Sequence, residues 1–251
     1  MKLIAAAALT GALVMAGGAN AAVIFSEDFS GYDTANIAHG AHGASSTSGN
    51  TISTDYSYRV PGHGNTSGDA DSMYDEGTWT IGTNPVDVHN LWVDSPQDNP
   101  FLMLNGSTND SVPPPTAYES NGVAVGAGTY SYSYDLLNLC CNANGPAGTP
   151  SLLQLWYFNG VDPTPINILP LSQTSSAING WTHISGTFSI GAPGGTIRLG
   201  LSDITSIASG NDFGVDNITL ANAPEPAEWS LMILGFGAAG AMLRRRARVL
   251  A

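Results

Sequence analysis

Residues 129–139 read TYSYSYDLLNL. Tyr130, Tyr132 and Tyr134 alternate with serines, and successive side chains of a strand point to opposite faces, so the three rings share one face. A helix would scatter them round its circumference. The stretch therefore predicts a strand that buries its tyrosines. Comparable runs recur along the chain: AVIFSEDF, TISTDYSYRV, GTWTIG, HNLWV, FLMLNG, SLLQLWYFNG, WTHISGTFSI, GTIRLGLSD and FGVDNITL. Turn clusters such as NGP, DPTP and GAPGG separate them. No stretch between residues 22 and 223 keeps a capped three-to-four apolar period. Many strands without a helix predict an all-β fold, a single β-sandwich of jelly-roll-like type. Two long polar stretches, residues 37–50 and 105–122, read as loops.

The two ends of the chain differ from this body. Residues 1–21 place Lys2 before a short apolar run and finish in Ala19-Asn20-Ala21, the layout of a cleaved secretory signal helix. Residues 224–251 form a tail in which Pro224-Glu225-Pro226 is followed by Trp229, an uncharged stretch at 229–243 and a cluster of arginines. As a helix, fifteen residues rise about 22 Å, short of the roughly 30 Å of a bilayer core. Trp229 at one interface and snorkelling arginines at the other make a short transmembrane anchor workable, with the arginines on the cytoplasmic side.

Between the ends stand two arginines, Arg59 and Arg198, against eighteen acidic residues, a net charge of −16 with histidines neutral. Such a surface repels phosphate backbones, which excludes nucleic acid as a partner, and it attracts cations. The two cysteines, Cys140 and Cys141, are adjacent. They read as partly buried thiols, as a strained vicinal ring, or as an intermolecular link, and not as a metal or C-x-x-C redox motif.

The order of the tail resembles the PEP-CTERM sorting signal in its PEPxxWA variant. Pro224, Glu225, Pro226, Trp229, Gly235, Phe236, Gly237, Arg244, Arg245 and Arg246 carry the match, and Ser230 stands where that variant has alanine. The resemblance implies a Gram-negative bacterium, export by the secretion machinery and transient inner-membrane anchoring with the body in the periplasm. It further implies processing by an exosortase-type sorting enzyme, delivery to the cell surface or medium, and association with exopolysaccharide or biofilm matrix. The body carries a second resemblance. VIFSEDFSGY and NDFGVDNITL are similar to the first and last strands of carbohydrate-binding-module-like jelly rolls. In that group the terminal strands lie together beside a structural calcium, which implies Glu27, Asp28 and Asp216 as ligands.

Catalytic signals are sparse. GDADSMYDEG offers Asp69, Asp71, Asp75 and Glu76, which read as a solvated acidic loop, with calcium binding or glycoside hydrolysis as alternatives. His39, His42 and His63 lie in glycine-rich loops and carry no partner motif for a transition metal. Trp79, Trp92, Trp156, Tyr157 and Trp181 stand inside strand-like runs and read as core, whereas Tyr74 and Tyr118 fall in loops and are expected at the surface. These signals predict no enzyme. They predict an exported, exosortase-sorted surface or matrix protein with a non-catalytic role; the alternatives are a carbohydrate-binding module with a discrete glycan and, below it, a glycan-active enzyme.

Overall fold

The computed structural model of the chain describes residues 21–107, 114–145, 148–158, 164–174, 180–207, 210–223, 233–240 and 242. Ala22–Ala223 form one compact unit, and the two ends of the chain group apart from it.

Within this unit the described strands make two seven-stranded sheets. One runs in the order β12 (Trp181–Ile190), β9 (Gly128–Asn138), β14 (Phe213–Asn222), β6 (Phe101–Asn105), β5 (Thr78–Gly82) and β4 (Ser57–Tyr58), with β1 (Val23–Glu27) also paired to β14. The other runs β11 (Ile166–Gln173), β10 (Leu152–Phe158), β13 (Gly195–Asp203), β7 (Thr116–Ser120), β3 (Thr51–Ser53) and β2 (Gly43–Ser45), with β8 (Val123–Val125) beside β13. All described pairings are antiparallel except β4 with β5.

The tyrosine row of β9 buries all three rings while the alternating serines stay half-exposed, as period-two patterning predicts. Its inner face meets the second sheet in one continuous core with Leu153, Leu155, Leu199 and Leu201. Tyr134 bonds the hydroxyl of Ser172 across the gap at 2.7 Å, and Tyr157 lies 4.8 Å from Phe188 ring to ring. Each fully buried side chain of this size contributes roughly 1.5–3 kcal/mol, so the shared core is what joins the layers. This is a β-sandwich.

Both halves of β14 find partners because the strand breaks in the middle. Its 213–215 half pairs with β6, and its later half pairs with β1 through Ser26↔Thr219 and Glu27↔Ile218. Between them Asn217 adopts a positive φ of 53° and the register against β9 shifts. The terminal strands therefore lie together, as the jelly-roll resemblance implied.

Several expectations are corrected. TISTDYSYRV is not one strand: the chain leaves the second sheet after β3 and joins the first at β4. HNLWV forms no strand beyond a single bridge from Trp92 to Cys140; it is a turn packed inward. The expected loop at 37–50 contains β2, and that at 105–122 contains β7. The adjacent cysteines form a vicinal disulfide, buried on both sides.

The expected signal helix falls in residues outside those described, apart from Ala21. So do Pro224, Glu225, Pro226, Trp229, Arg244, Arg245 and Arg246. Of the tail, residues 233–240 are helical and include Gly235, Phe236 and Gly237, with Phe236 exposed. Among the described residues no helix is long and apolar enough to cross a membrane.

Candidate functional site

Among the described residues the tryptophans turn inward rather than line a sugar platform. Trp79 and Trp92 are wholly buried, and Trp156 is 4 % exposed. Each indole N–H has an internal acceptor: the Ala41 carbonyl, the Asp212 carboxylate and the Ser202 hydroxyl respectively. Trp156 lies over Gly200, where a β-carbon would overlap its ring. Trp181 is half-buried, edge-on to Phe101 at 5.4 Å. Tyr157 is core. Of the two loop tyrosines, Tyr118 corrects the expectation of surface placement, whereas Tyr74 does lie in a loop, half-buried. Tyr118 lies on β7, is 1 % exposed and meets Phe29 edge-on at 6.0 Å. Tyr74 stacks on His89 at 3.9 Å, and His89 stacks in turn on Trp92 at 4.9 Å. Burial depresses the His89 imidazole to about 4, so it is neutral near pH 7.

The acidic loop is tied down residue by residue. Asp69 accepts from the backbone and hydroxyl of Thr66 at 2.9 and 2.6 Å. Asp75 pairs with Arg59 at 3.1 Å. Asp71 stands between two of the candidate histidines, 3.5 Å from His39 and 3.2 Å from His63. Glu76 and His42 are exposed. Among the described residues no three or more histidine, cysteine or acidic groups are placed to hold a metal ion.

The expected calcium ligands do share one corner. Glu27 closes β1 with a 3 % exposed carboxylate, whose two oxygens accept from the Phe29 amide at 2.8 Å and the Tyr32 hydroxyl at 2.9 Å. The first of these bonds holds Phe29 at a φ of 56°, an unusual conformation for a bulky residue. Asp216 is pushed up to about 6, chiefly by burial and further by the nearby carboxylates of Asp135, Asp28 and Glu27. All-oxygen donors and this crowding of negative charge suit calcium. In this structure Glu27 accepts from a protein donor on each oxygen, and Asp216 turns one oxygen onto the Asn217 amide at 2.8 Å. Each of those oxygens keeps a second lone pair, so calcium at this corner stays what the resemblance implies.

Beside this corner opens a cleft of about 720 Å³. Three segments line it: β1 with the turn after it, the β2–β3 hairpin tip, and the stretch from Asn121 into β8. The first belongs to one sheet and the other two to its partner, so the cleft is the open edge of the sandwich. Its polar wall is formed by Ser26, Asp28, Ser30, Thr47, Asn50 and Asn121. Asn50 spans the gap, donating to the Ser26 carbonyl at 2.8 Å. Asp28 accepts from the Ser30 amide and hydroxyl at 3.1 and 2.7 Å. Those two bonds hold its carboxyl below the usual range. No motif announced this cleft, because its walls are ordinary small polar residues brought together from positions nearly a hundred apart.

No protein-family model matches the chain, and no match to a curated protein was found. Solved structures that match include the N-terminal CBM22-1–CBM22-2 tandem domain of Xyn10C from Paenibacillus barcinonensis, at 11% identity and a TM-score of 0.45, covering 83% of this chain and 49% of that one. The single CBM22-1 xylan-binding domain of the same protein matches at 12% identity and 0.38, covering 66% and 92%. The C-terminal domain of EclA, described as a sugar-binding protein, matches at 14% and 0.37, covering 55% and 88%.

Proposed function

We propose that this chain is an exported, non-catalytic glycan-binding protein, a jelly-roll-like sandwich delivered to the cell surface or matrix by its tail. The observation that carries the reading is the edge cleft, whose wall of hydroxyls, side-chain amides and one carboxylate supplies both donors and acceptors to a polyol. The scattered anchoring of Asp69, Asp71 and Asp75 supports the non-catalytic part of the reading. Export, exosortase processing and association with extracellular polysaccharide rest on the order of the residues in the two ends. Calcium is not part of the proposal.

Glycan-array binding of the purified full chain tests it. Retention of a defined glycan is expected, and Ser48→Trp, which fills the cleft from an exposed position, is expected to abolish it without moving the melting temperature. A blank array, or a Ser48→Trp protein that binds like the parent, overturns the reading. A second reading, a matrix protein with no discrete ligand, is favoured by the burial of Trp79, Trp92 and Trp156, and a blank array would leave it standing.

A further inference from the structure

Charge narrows the ligand. Resting on the glycan-binding reading, we infer that the edge cleft prefers an amino-bearing glycan, a hexosamine chain with free ammonium groups, and that Asp28 is the partner of the ammonium. Neutral sugars rank below it and acidic sugars below those.

Among the residues lining the cleft, Asp28 alone carries a charge. Ser30 holds one of its oxygens, Oδ1, and leaves Oδ2 without a partner among the described residues. The side chain is exposed and lines the cleft. With its carboxyl held below the usual range, Asp28 stays ionised well into the acid region. The rest of the wall is neutral.

The cations that an acidic sugar would need are committed elsewhere. Arg59 pairs with Asp75 at 3.1 Å. Arg198, whose stem passes Gly122 at the edge of the cleft, gives its guanidinium to Glu119 and lies 4.8 Å over the Phe158 ring. No other arginine and no lysine stands between residues 22 and 223. A uronate or sulfated sugar would therefore bring its charge to a carboxylate inside a field of net −16. An ammonium meets the reverse. The field raises its local concentration, and Oδ2 offers a charge-assisted hydrogen bond, while the hydroxyls and amides of the wall serve the remaining ring substituents. An N-acetylated unit keeps those neutral bonds and loses the ionic one.

The test compares a short free-amine glucosamine oligosaccharide, its N-acetylated counterpart and an oligouronate of equal length, titrated calorimetrically into the full chain. The free-amine oligomer is expected to bind about two- to fivefold more tightly than the N-acetylated one, the range for a single exposed ion pair. Added salt is expected to close the gap. Asp28→Asn, which keeps an acceptor for Ser30, should remove the preference with an unchanged circular dichroism spectrum. Asp87→Asn makes the same charge change on a residue outside the cleft and should preserve it. Equal or better binding of the N-acetylated or acidic oligomer overturns the inference and leaves glycan binding intact. A preference that survives Asp28→Asn, or disappears in Asp87→Asn, assigns the charge effect to the surface at large and overturns it as well. Binding of none of the three, together with a blank glycan array, removes the underlying reading instead.

Discussion

Asp203 and Asp28 are both aspartates held by nearby amides and hydroxyls, at two different places in the sandwich. Asp203 closes β13 with no exposed surface and accepts from the Tyr56 hydroxyl, the amides of Ser107 and Thr205, and the side chain of Asn211. Burial nevertheless pushes its carboxyl up. Asp28 has only Ser30, yet the Ser30 hydroxyl and amide push its carboxyl down, because little burial opposes them. One carboxylate spends itself on internal donors, and the other keeps an oxygen left over, the oxygen on which the proposed ammonium contact rests.

The contrast is broken most severely at the closed end. Asp203→Ala would strand four donors in a space without water, and each unmet buried partner costs about 1–3 kcal/mol. The expected result is a melting temperature lower by ten degrees or more, or no folded protein, read by differential scanning calorimetry. Asp28→Ala, by the same measurement, should move it by no more than a degree or two.

Acidity sharpens the comparison at the next level of effect. Asp212 is buried beneath the Trp92 indole at 2.8 Å and titrates near 7, mainly through burial. An unfolded aspartate ionises near pH 4. Between those values the native state keeps a proton that the unfolded chain has released, so stability falls as pH rises through the interval. Asp216, raised to about 6, adds a change of the same sign. His89, depressed to about 4, works the other way up to about pH 6.5, so the clear drop in melting temperature, by a few degrees, is expected from about pH 6.5 to about pH 8. Asp212→Asn should flatten the slope; an unchanged slope would place the titration elsewhere.

The smallest expected effect tests the corner beside the cleft. Because the Phe29 amide and the Tyr32 hydroxyl already satisfy Glu27, excess chelator should leave the melting curve where it was. A clear fall would put an ion in this corner and release Glu27 from its protein donors, since a ligand bound only to the native state stabilises it by mass action.

Much of the sandwich could be read from the chain because its longest strands keep one register over many residues. The tyrosines of β9 declare their face, and β12 to β14 coincide with runs of matching pattern. The failures have local causes. At Asp55 the chain changes sheet, which an uninterrupted apolar-polar pattern does not reveal. Pro170 disguised β11, and proline is tolerated there because β11 is an edge strand, where a missing amide breaks no ladder. Strands β2, β7 and β8 are too short to show a period. Tyr118 looked exposed for the same reason: its surroundings read as loop, and only the pairing of β7 with β13 turns it inward. The cleft was illegible because serines, threonines and asparagines signal turns wherever they occur, and their convergence depends on tertiary structure.

The internal hydrogen bonds of Trp79, Trp92 and Trp156 also decide what light can report about this protein. Their indoles are shielded from water, so their emission should be blue-shifted and poorly quenched by iodide while the sandwich is intact. None of them lines the edge cleft. A sugar entering there would leave the surroundings of these three indoles unchanged, and their emission would stay flat through genuine binding. The same signal would shift sharply on unfolding, so a spectroscopist would see the scaffold melt and never see the ligand arrive.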